Sequence, residues 1–463
     1  MLDKVYVKSQ FVQIVQENSR AVIWHCLFGS PKIISLETLN FLESFSKPTA
    51  IRSKLGQRAS KPNQEAVREL MGSYFLVSPD LDERGLLNEL AQRREREIAG
   101  GSLIEYLELI ISEACNFRCI YCMHFNNLRT SNRIRSLRKF MSFETAKKAV
   151  DWYFEVLRQH GNRIAEINFG GGEPLLAWPV IKKVLEYCHS TYGGEFEFRF
   201  TINTNASLIT VSVARILKEY KVEVASSLDG LRKGNDSVRI MKSGAGTFSQ
   251  IMRGFSNLAR SGYPIDGVAM TVNERNFSSL NEQFVDWAVA QNFEDIRIDI
   301  DVIGMVDIPL QEVVDRLMHI YRYGESRGID IHGFWSRLVE NLNESVFENG
   351  VSFCGAVAGN SVCISPSGDI YSCGYSTTRL GSMSEMNHFS VDGGLYHQFV
   401  ADHLSGRMEM CKGCMIEGQC GGGCNITQEF AHVTNSAKME RMCDFYRCMT
   451  QELLREQLKA IDL

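Results

Sequence analysis

Fourteen cysteines stand in this chain of 463 residues, and they are unevenly placed. Cys26 and Cys188 stand alone, three crowd at Cys115, Cys119 and Cys122, and nine lie between Cys354 and Cys448. Thiols grouped in this way point to metal or cluster ligation, not to scattered core residues or disulfides, which a reducing compartment does not sustain. Cys115-Asn116-Phe117-Arg118-Cys119-Ile120-Tyr121-Cys122 offers three thiolates from one short loop. A tetrahedral zinc needs a fourth ligand there, for which His124 is nearby; a four-iron cluster leaves one iron open. Further along, Gly170-Gly171-Gly172-Glu173-Pro174 joins close backbone approach to a carboxylate, and Ser227-Leu228-Asp229-Gly230 is followed by Arg239. Cys411, Cys414, Cys420, Cys424 and Cys443 form a dense array with Cys354 and Cys373 upstream. By ligand type alone that array suits zinc as well as iron–sulfur.

These residues need a scaffold. Strand-like stretches at 106–111, 164–169, 196–203, 222–228, 266–272 and 295–303 alternate with helical stretches at 143–160, 179–190, 210–220, 246–262 and 278–291. Strand–helix repetition predicts an α/β fold with a parallel sheet. Six units are too few for a closed eight-stranded barrel, so the expectation is a partial (β/α)6 TIM-like barrel. Phe196, Phe198, Phe200 and Ile202 alternate with Glu197, Arg199, Thr201 and Asn203; Ile296, Ile298 and Ile300 alternate with Arg297, Asp299 and Asp301. Parallel strands covered on both faces are apolar throughout, so the polar face predicts a lumen used for binding. The first cysteine group follows the first strand, and the two glycine-bearing motifs end the second and fourth. All three lie at the strand ends where a barrel places ligand groups.

Residues 1–90 read as a winged-helix-like module: a hairpin from 11–15 and 21–28 around a polar turn, a helix opened by Ser35, a second helix at 65–72 and a short strand at 74–77. The stretch 86–100 reads as a charged helix ending in glycines, and 91–102 as a linker. The barrel occupies 103–325, bridging helices 326–350 and the cysteine-rich part 351–463. A net charge of −5 creates no strong field for nucleic acid or membrane. No apolar run approaches the ~20 residues of a membrane span. The N-terminus lacks a secretory pattern, so a cytoplasmic location is expected.

The C-x3-C-x2-C spacing with Tyr121 before its last cysteine, Gly170–Pro174 and Ser227–Gly230 together resemble the radical SAM superfamily. Cys354, Gly368-x4-Cys373 and the five later cysteines resemble its SPASM extension. The resemblance implies S-adenosyl-L-methionine (SAM) and three 4Fe-4S clusters. Cys115, Cys119 and Cys122 correspond to ligands of the SAM-binding cluster, and Gly171, Gly172 and Glu173 to the methionine-binding segment. Ser227 and Arg239 correspond to contacts of the SAM ribose and carboxylate, with Asn203 and Asn205 candidates for the same pocket. Cys354, Cys373 and Cys424 correspond to the first auxiliary cluster, and Cys411, Cys414, Cys420 and Cys443 to the second. The first set lacks a fourth ligand, for which Cys363 and Cys448 are candidates.

The implied chemistry is reductive cleavage of SAM by one electron from a reductant such as flavodoxin or ferredoxin. The resulting 5′-deoxyadenosyl radical abstracts a substrate hydrogen. SPASM enzymes act mostly on peptides and proteins. The expectation is therefore a maturase that crosslinks a ribosomally made precursor peptide (carbon–carbon, ether or thioether), with its leader held by the N-terminal module through strand addition. Peptide epimerisation, sulfatase-type maturation and quinone-cofactor maturation are alternatives. Sulfatase maturases carry an Asp after the cysteine matching Cys373, and here Gly374-Tyr375 follows. The alternative of another class is a non-catalytic, zinc-stabilised peptide-binding protein. Asp299, Asp301, Glu166 and Tyr375 are candidate bases. The basic run Arg129, Arg133, Arg135, Arg138 and Lys139 suits either an acidic peptide or a solvated surface. Val268, Met270 and Val272 suit either an adenine wall or the core.

Overall fold

The computed structural model describes residues 3–55, 61–122, 140–344, 346–349, 352–385, 393–434 and 436–461. His124 and 129–139 lie outside these residues. The N-terminal segment is built from two small sheets. Strand β1 (Val5–Lys8) pairs antiparallel with β5 (Thr49–Ala50) and β6 (Leu76–Val77). Strands β2 (Val12–Glu17), β3 (Arg20–His25) and β4 (Gly29–Ser35) form a meander. Asn18, at φ 48°, takes the left-handed conformation that the tight turn between β2 and β3 requires. Ser35 caps the helix Leu36–Glu43 by accepting the Thr38 N–H, and a second helix spans Lys61–Gly72.

Residues 91–98, expected in a linker, are the second half of a sixteen-residue helix, Glu83–Ile98. Leu87, Ala91 and Ile98 bury one side of it together with Glu83, which accepts the Ser9 hydroxyl at 2.6 Å, while Glu89, Arg93, Arg96 and Glu97 face out. The N-terminal segment is bolted to the cysteine-rich end. Trp24 Nε1–H donates to the Met415 carbonyl at 2.8 Å, the Gly418 N–H donates to the Cys26 carbonyl at 2.7 Å, and Arg84 holds Glu417 at 2.8 and 3.1 Å.

Strands β7 (Tyr106–Ser112), β8 (Ile164–Gly171), β9 (Glu197–Thr204) and β10 (Glu223–Ser226) run parallel in that order. A bridge between Ser227 and Ala269 carries the curve on to β11 (Gly267–Val272) and β12 (Asp295–Ile300). The six expected strands are all present. Two more extend the barrel where the sequence pattern gave no strand: β13 (Asp330–His332) adds parallel to β12, and β14 (Ser361–Ile364) adds parallel to β7. Strands β15 (Asp369–Tyr371) and β16 (Gly381–Ser382) continue antiparallel from β14. The cysteine-rich segment is thus stitched into the barrel sheet. The stretch 326–350, expected as bridging helices, contains β13 and two short helices, Arg337–Asn343 and Val346–Asn349.

Helices cover the apolar faces. Helix Phe143–Gln159, capped by Ser142, buries Ala146, Ala149, Val150, Tyr153, Phe154 and Leu157. Burying each large apolar side chain contributes about 1.5–3 kcal/mol. Phe200, Ile202, Ile296 and Ile298 are buried, whereas Arg199 and Asn203 are exposed and Arg297 and Asp299 half-buried. The polar faces therefore line an open lumen. Val268, Met270 and Val272 pair with Ile296, Ile298 and Ile300 on the opposite, helix-facing side, and so belong to the core. Among the described residues no helix is long and apolar enough to cross a membrane.

Candidate active site

The loop after β7 carries Cys115, Cys119 and Cys122, and β8 ends against it. The Gly172 N–H donates to the Ser112 carbonyl at 2.7 Å and the Glu173 N–H to the Ala114 carbonyl at 2.9 Å. A Cβ on Gly171, whose φ is +117°, would lie 2.2 Å from the Ser112 oxygen, and one on Gly172 would lie 2.5 Å from the Ala114 oxygen. These glycines seat the cysteine loop itself on the end of β8. Sequence reasoning had credited them only with approach to a ligand.

Glu173 is fully buried. Its Oε1 accepts Thr204 Oγ1–H at 2.7 Å and the Leu175 N–H at 3.0 Å, and its Oε2 accepts the Asn205 N–H at 2.8 Å. Burial outweighs these three donors and pushes its pKa up to about 7. Asn205 Nδ2 lies 3.9 Å from Cys115 Sγ and donates to Asn116 Oδ1 at 2.9 Å. The structure thus brings Glu173, Asn205 and the first cysteine together. Burial pushes the Cys115 thiol up to about 12 and the Cys119 thiol to about 11, and each is raised further by its neighbouring cysteines.

Ser227 sits half-buried at the end of β10. Arg239 points instead at Asp229. Its Nε lies 2.8 Å from Asp229 Oδ2, a pair held by charge and proximity more than by an aligned hydrogen bond. Tyr121 donates its hydroxyl to the same carboxylate at 2.5 Å, and the Thr271 N–H donates to Asp229 Oδ1 at 2.9 Å. Asp229 therefore ties the cysteine loop to β10 and β11.

In the C-terminal segment, seven cysteines form two sets, and Tyr375 lies within reach of both Cys373 and Cys122. Cys411, Cys414, Cys420 and Cys443 act on one another's charge, and burial raises Cys411 to about 12. Cys373, Cys424 and Cys354 form the second set. Gly421, Gly422 and Gly423 all have positive φ, a left-handed run that brings Cys424 back toward Cys354. Beside Cys373 and Cys424, Ser372 Oγ and Asn425 Nδ2 are buried without hydrogen-bond partners. Polar hydrogens so placed suit the sulfides of a cluster, and soft thiol donors suit its iron. Cys363 packs with Ile110 and Tyr371 on β14. Cys448 lies among Asp444, Arg447, Glu452 and Arg455. Among the described residues no three His, Cys, Asp or Glu side chains converge as ligands of a single ion.

The expected bases are mostly engaged. Arg199 pairs with Glu166 and Arg297 with Asp299, each at 3.0 Å. Asp301 accepts the Gly304 N–H at 3.1 Å in a turn beyond β12. Tyr375 is exposed. Sequence reasoning missed Glu108, whose Oε2 accepts the Gly374 N–H at 2.8 Å. Its one sequence signal is a lone carboxylate inside the otherwise apolar run Leu107 to Ile111.

A cysteine loop at the mouth of an open parallel barrel, faced by a buried carboxylate, defines a cluster-bearing barrel enzyme. Residues 109–282 match the Radical SAM superfamily, so this part of the chain is a radical SAM domain, and the match supports SAM and a 4Fe-4S cluster as cofactors. The chain is 25% identical over 465 residues to the radical SAM cyclopropyl synthase TigE of Paramaledivibacter caminithermalis, covering 97% of this chain and 96% of that one. It is 26% identical over 340 residues to the mycofactocin maturase MftC of Mycobacterium tuberculosis, covering 69% and 78%. The solved structure of native anSMEcpe with bound AdoMet superposes with a TM-score of 0.61 at 19% identity, over 77% of this chain and 99% of that one. SuiB of Streptococcus suis bound to S-adenosylmethionine superposes with a TM-score of 0.52 at 17% identity, over 94% and 98%. These structural likenesses establish the shared fold.

Proposed function

We propose that this enzyme matures a ribosomally made peptide by closing a bond within it. The observation that carries the reading is the exposed polar face of the barrel strands, with the Cys115–Glu173 group at the strand ends and Tyr375 beside both Cys122 and Cys373. Full-length similarity to a cyclopropyl synthase supports it and favours carbon–carbon closure over an ether or thioether. In this reading Cys115, Cys119 and Cys122 hold the SAM-binding cluster. Glu173 receives the methionine ammonium, with Gly171, Gly172 and Asn205 shaping its surroundings. Ser227 lies beside the nucleoside end, and Arg239 acts through Asp229 and Tyr121 to fix the cysteine loop.

When bound, SAM and its cluster supply the hydrogen-abstracting radical. The chain's own part is to hold the peptide along the lumen and to exclude water from the reacting carbon. Cys354, Cys373 and Cys424, and Cys411, Cys414, Cys420 and Cys443, would hold two auxiliary clusters, which would supply an acceptor for the one electron left once the radical has taken a hydrogen atom and a proton departs on bond closure. The N-terminal sheets receive the leader of the precursor peptide, and a flavodoxin or ferredoxin delivers the priming electron.

The test is co-expression with each short peptide encoded beside the gene, followed by mass spectrometry. Bond closure predicts a loss of about two mass units. An unchanged mass in water with a gain of about one unit in deuterated solvent identifies an epimerase instead. Zinc without labile sulfide in the purified protein contradicts both readings.

A further inference from the structure

Glu108 stands where the barrel meets the cysteine-rich segment. Its strand, β7, is the seam, with β8 on one side and β14 on the other. Glu108 Oε2 accepts the N–H of Gly374, the residue after Cys373, at 2.8 Å. A Cβ on either Gly170 or Gly374 would lie 2.6 Å from Glu108 Oε1. The carboxylate therefore fills a slot left open by two glycines from distant parts of the chain. Of the charges acting on the Cys373 thiol, that of Glu108 is the strongest, ahead of Cys424 and Cys354. Three cysteines meet there, one short of a four-iron ligand set. Cys448 has a different set of neighbours, and Cys363 is packed in a small apolar cluster with Ile110 and Tyr371.

We propose that Glu108 is the fourth ligand of the first auxiliary cluster, an oxygen donor supplied by the barrel to the set Cys354, Cys373 and Cys424. The inference rests on the reading of that set as an iron–sulfur site. A carboxylate carries the same single negative charge as a thiolate but is a harder and more weakly held donor to iron. The cluster then keeps its charge while presenting one exchangeable position to the lumen. Glu108→Cys supplies a fourth thiolate and lowers the cluster's reduction potential.

The test uses the full chain carrying Cys115→Ala, Cys119→Ala and Cys122→Ala, so that only auxiliary sites remain. It is produced with 13C-carboxyl glutamate, loaded with iron and sulfide, reduced, and examined by electron–nuclear double resonance. The expected result is a 13C coupling on one of two cluster signals, absent in Glu108→Gln at unchanged iron content and thermal unfolding. Gly170→Ala, which crowds the carboxylate out of its slot, weakens or abolishes the same coupling. An intact first-cluster signal without 13C coupling overturns the proposal. So does a signal altered by Cys363→Ala and indifferent to Glu108→Gln. Iron and sulfide for about four atoms each, a single auxiliary cluster, removes the underlying reading instead, and that failure is visible before any resonance experiment.

Discussion

Glu173 works against folding and toward binding. Its side chain is fully buried, and its pKa rises from 4.5 to about 7 because desolvation outweighs the donors from Thr204, Asn205 and Leu175. Between those values the folded chain holds a proton that the unfolded chain has released, so ligand-free stability falls as pH rises through the window. Above it the penalty is complete, on the order of 3 kcal/mol. A bound ammonium relieves the penalty. Glu173→Gln therefore raises the ligand-free unfolding temperature at pH 8 while weakening SAM binding about tenfold or more, a charge-assisted hydrogen bond being worth about 1.5–3 kcal/mol. Calorimetry and SAM titration of the same variant check both signs. In the wild type, SAM binding must expel the proton at low pH, so affinity is about tenfold weaker at pH 6 than at pH 8; a flat profile contradicts the assignment. That Glu173 meets the Cys115 loop was legible in the sequence, because both follow neighbouring strands of the barrel. Glu108 was not, because Gly170 and Gly374, the residues that make room for it, are brought together only by the pairing of β14 with β7.

At the scale of elements, alternation of polar and apolar residues marked β8, β9 and β12, and strand–helix repetition supplied the other barrel strands. The two added strands carry no such mark. Strand β13 has three residues, and β14 is buried along its whole length, so neither shows a period of two. The helix Glu83–Ile98 was legible as a charged helix, but its charge hid the face it packs against the rest of the chain. That helix matters, because Arg84 on it is the cation facing the fully buried Glu417, whose Oε2 also accepts the Gly413 N–H at 2.8 Å. Glu417 thus holds the loop from Cys411 to Cys420 in place. Arg84→Ala strands a buried carboxylate, at a cost of about 3 kcal/mol or more. The expected outcome is loss of iron from the second auxiliary set with SAM binding retained, read by iron analysis and SAM titration. Full iron content in Arg84→Ala refutes the idea that the N-terminal segment supports that set.

Over the whole molecule, three parts of the chain converge on one lumen. The barrel brings the Cys115 loop and Glu173 to its mouth, and the cysteine-rich segment joins the same sheet through β14. The N-terminal sheets are locked onto the loop around Met415 and Glu417. Under the proposed function, a substrate held near the two cysteine regions would meet a hydrogen-abstracting centre and an electron acceptor, the pairing an oxidative bond closure needs. The most direct measurement follows the hydrogen. The iron- and sulfide-loaded enzyme is given SAM, a one-electron reductant and the peptide encoded beside its gene, deuterated at its aliphatic carbons, and the 5′-deoxyadenosine formed is weighed. Deuterium carried from peptide to 5′-deoxyadenosine, in step with loss of peptide mass, is the predicted result. 5′-Deoxyadenosine that forms without deuterium, at a rate indifferent to the peptide, contradicts the account.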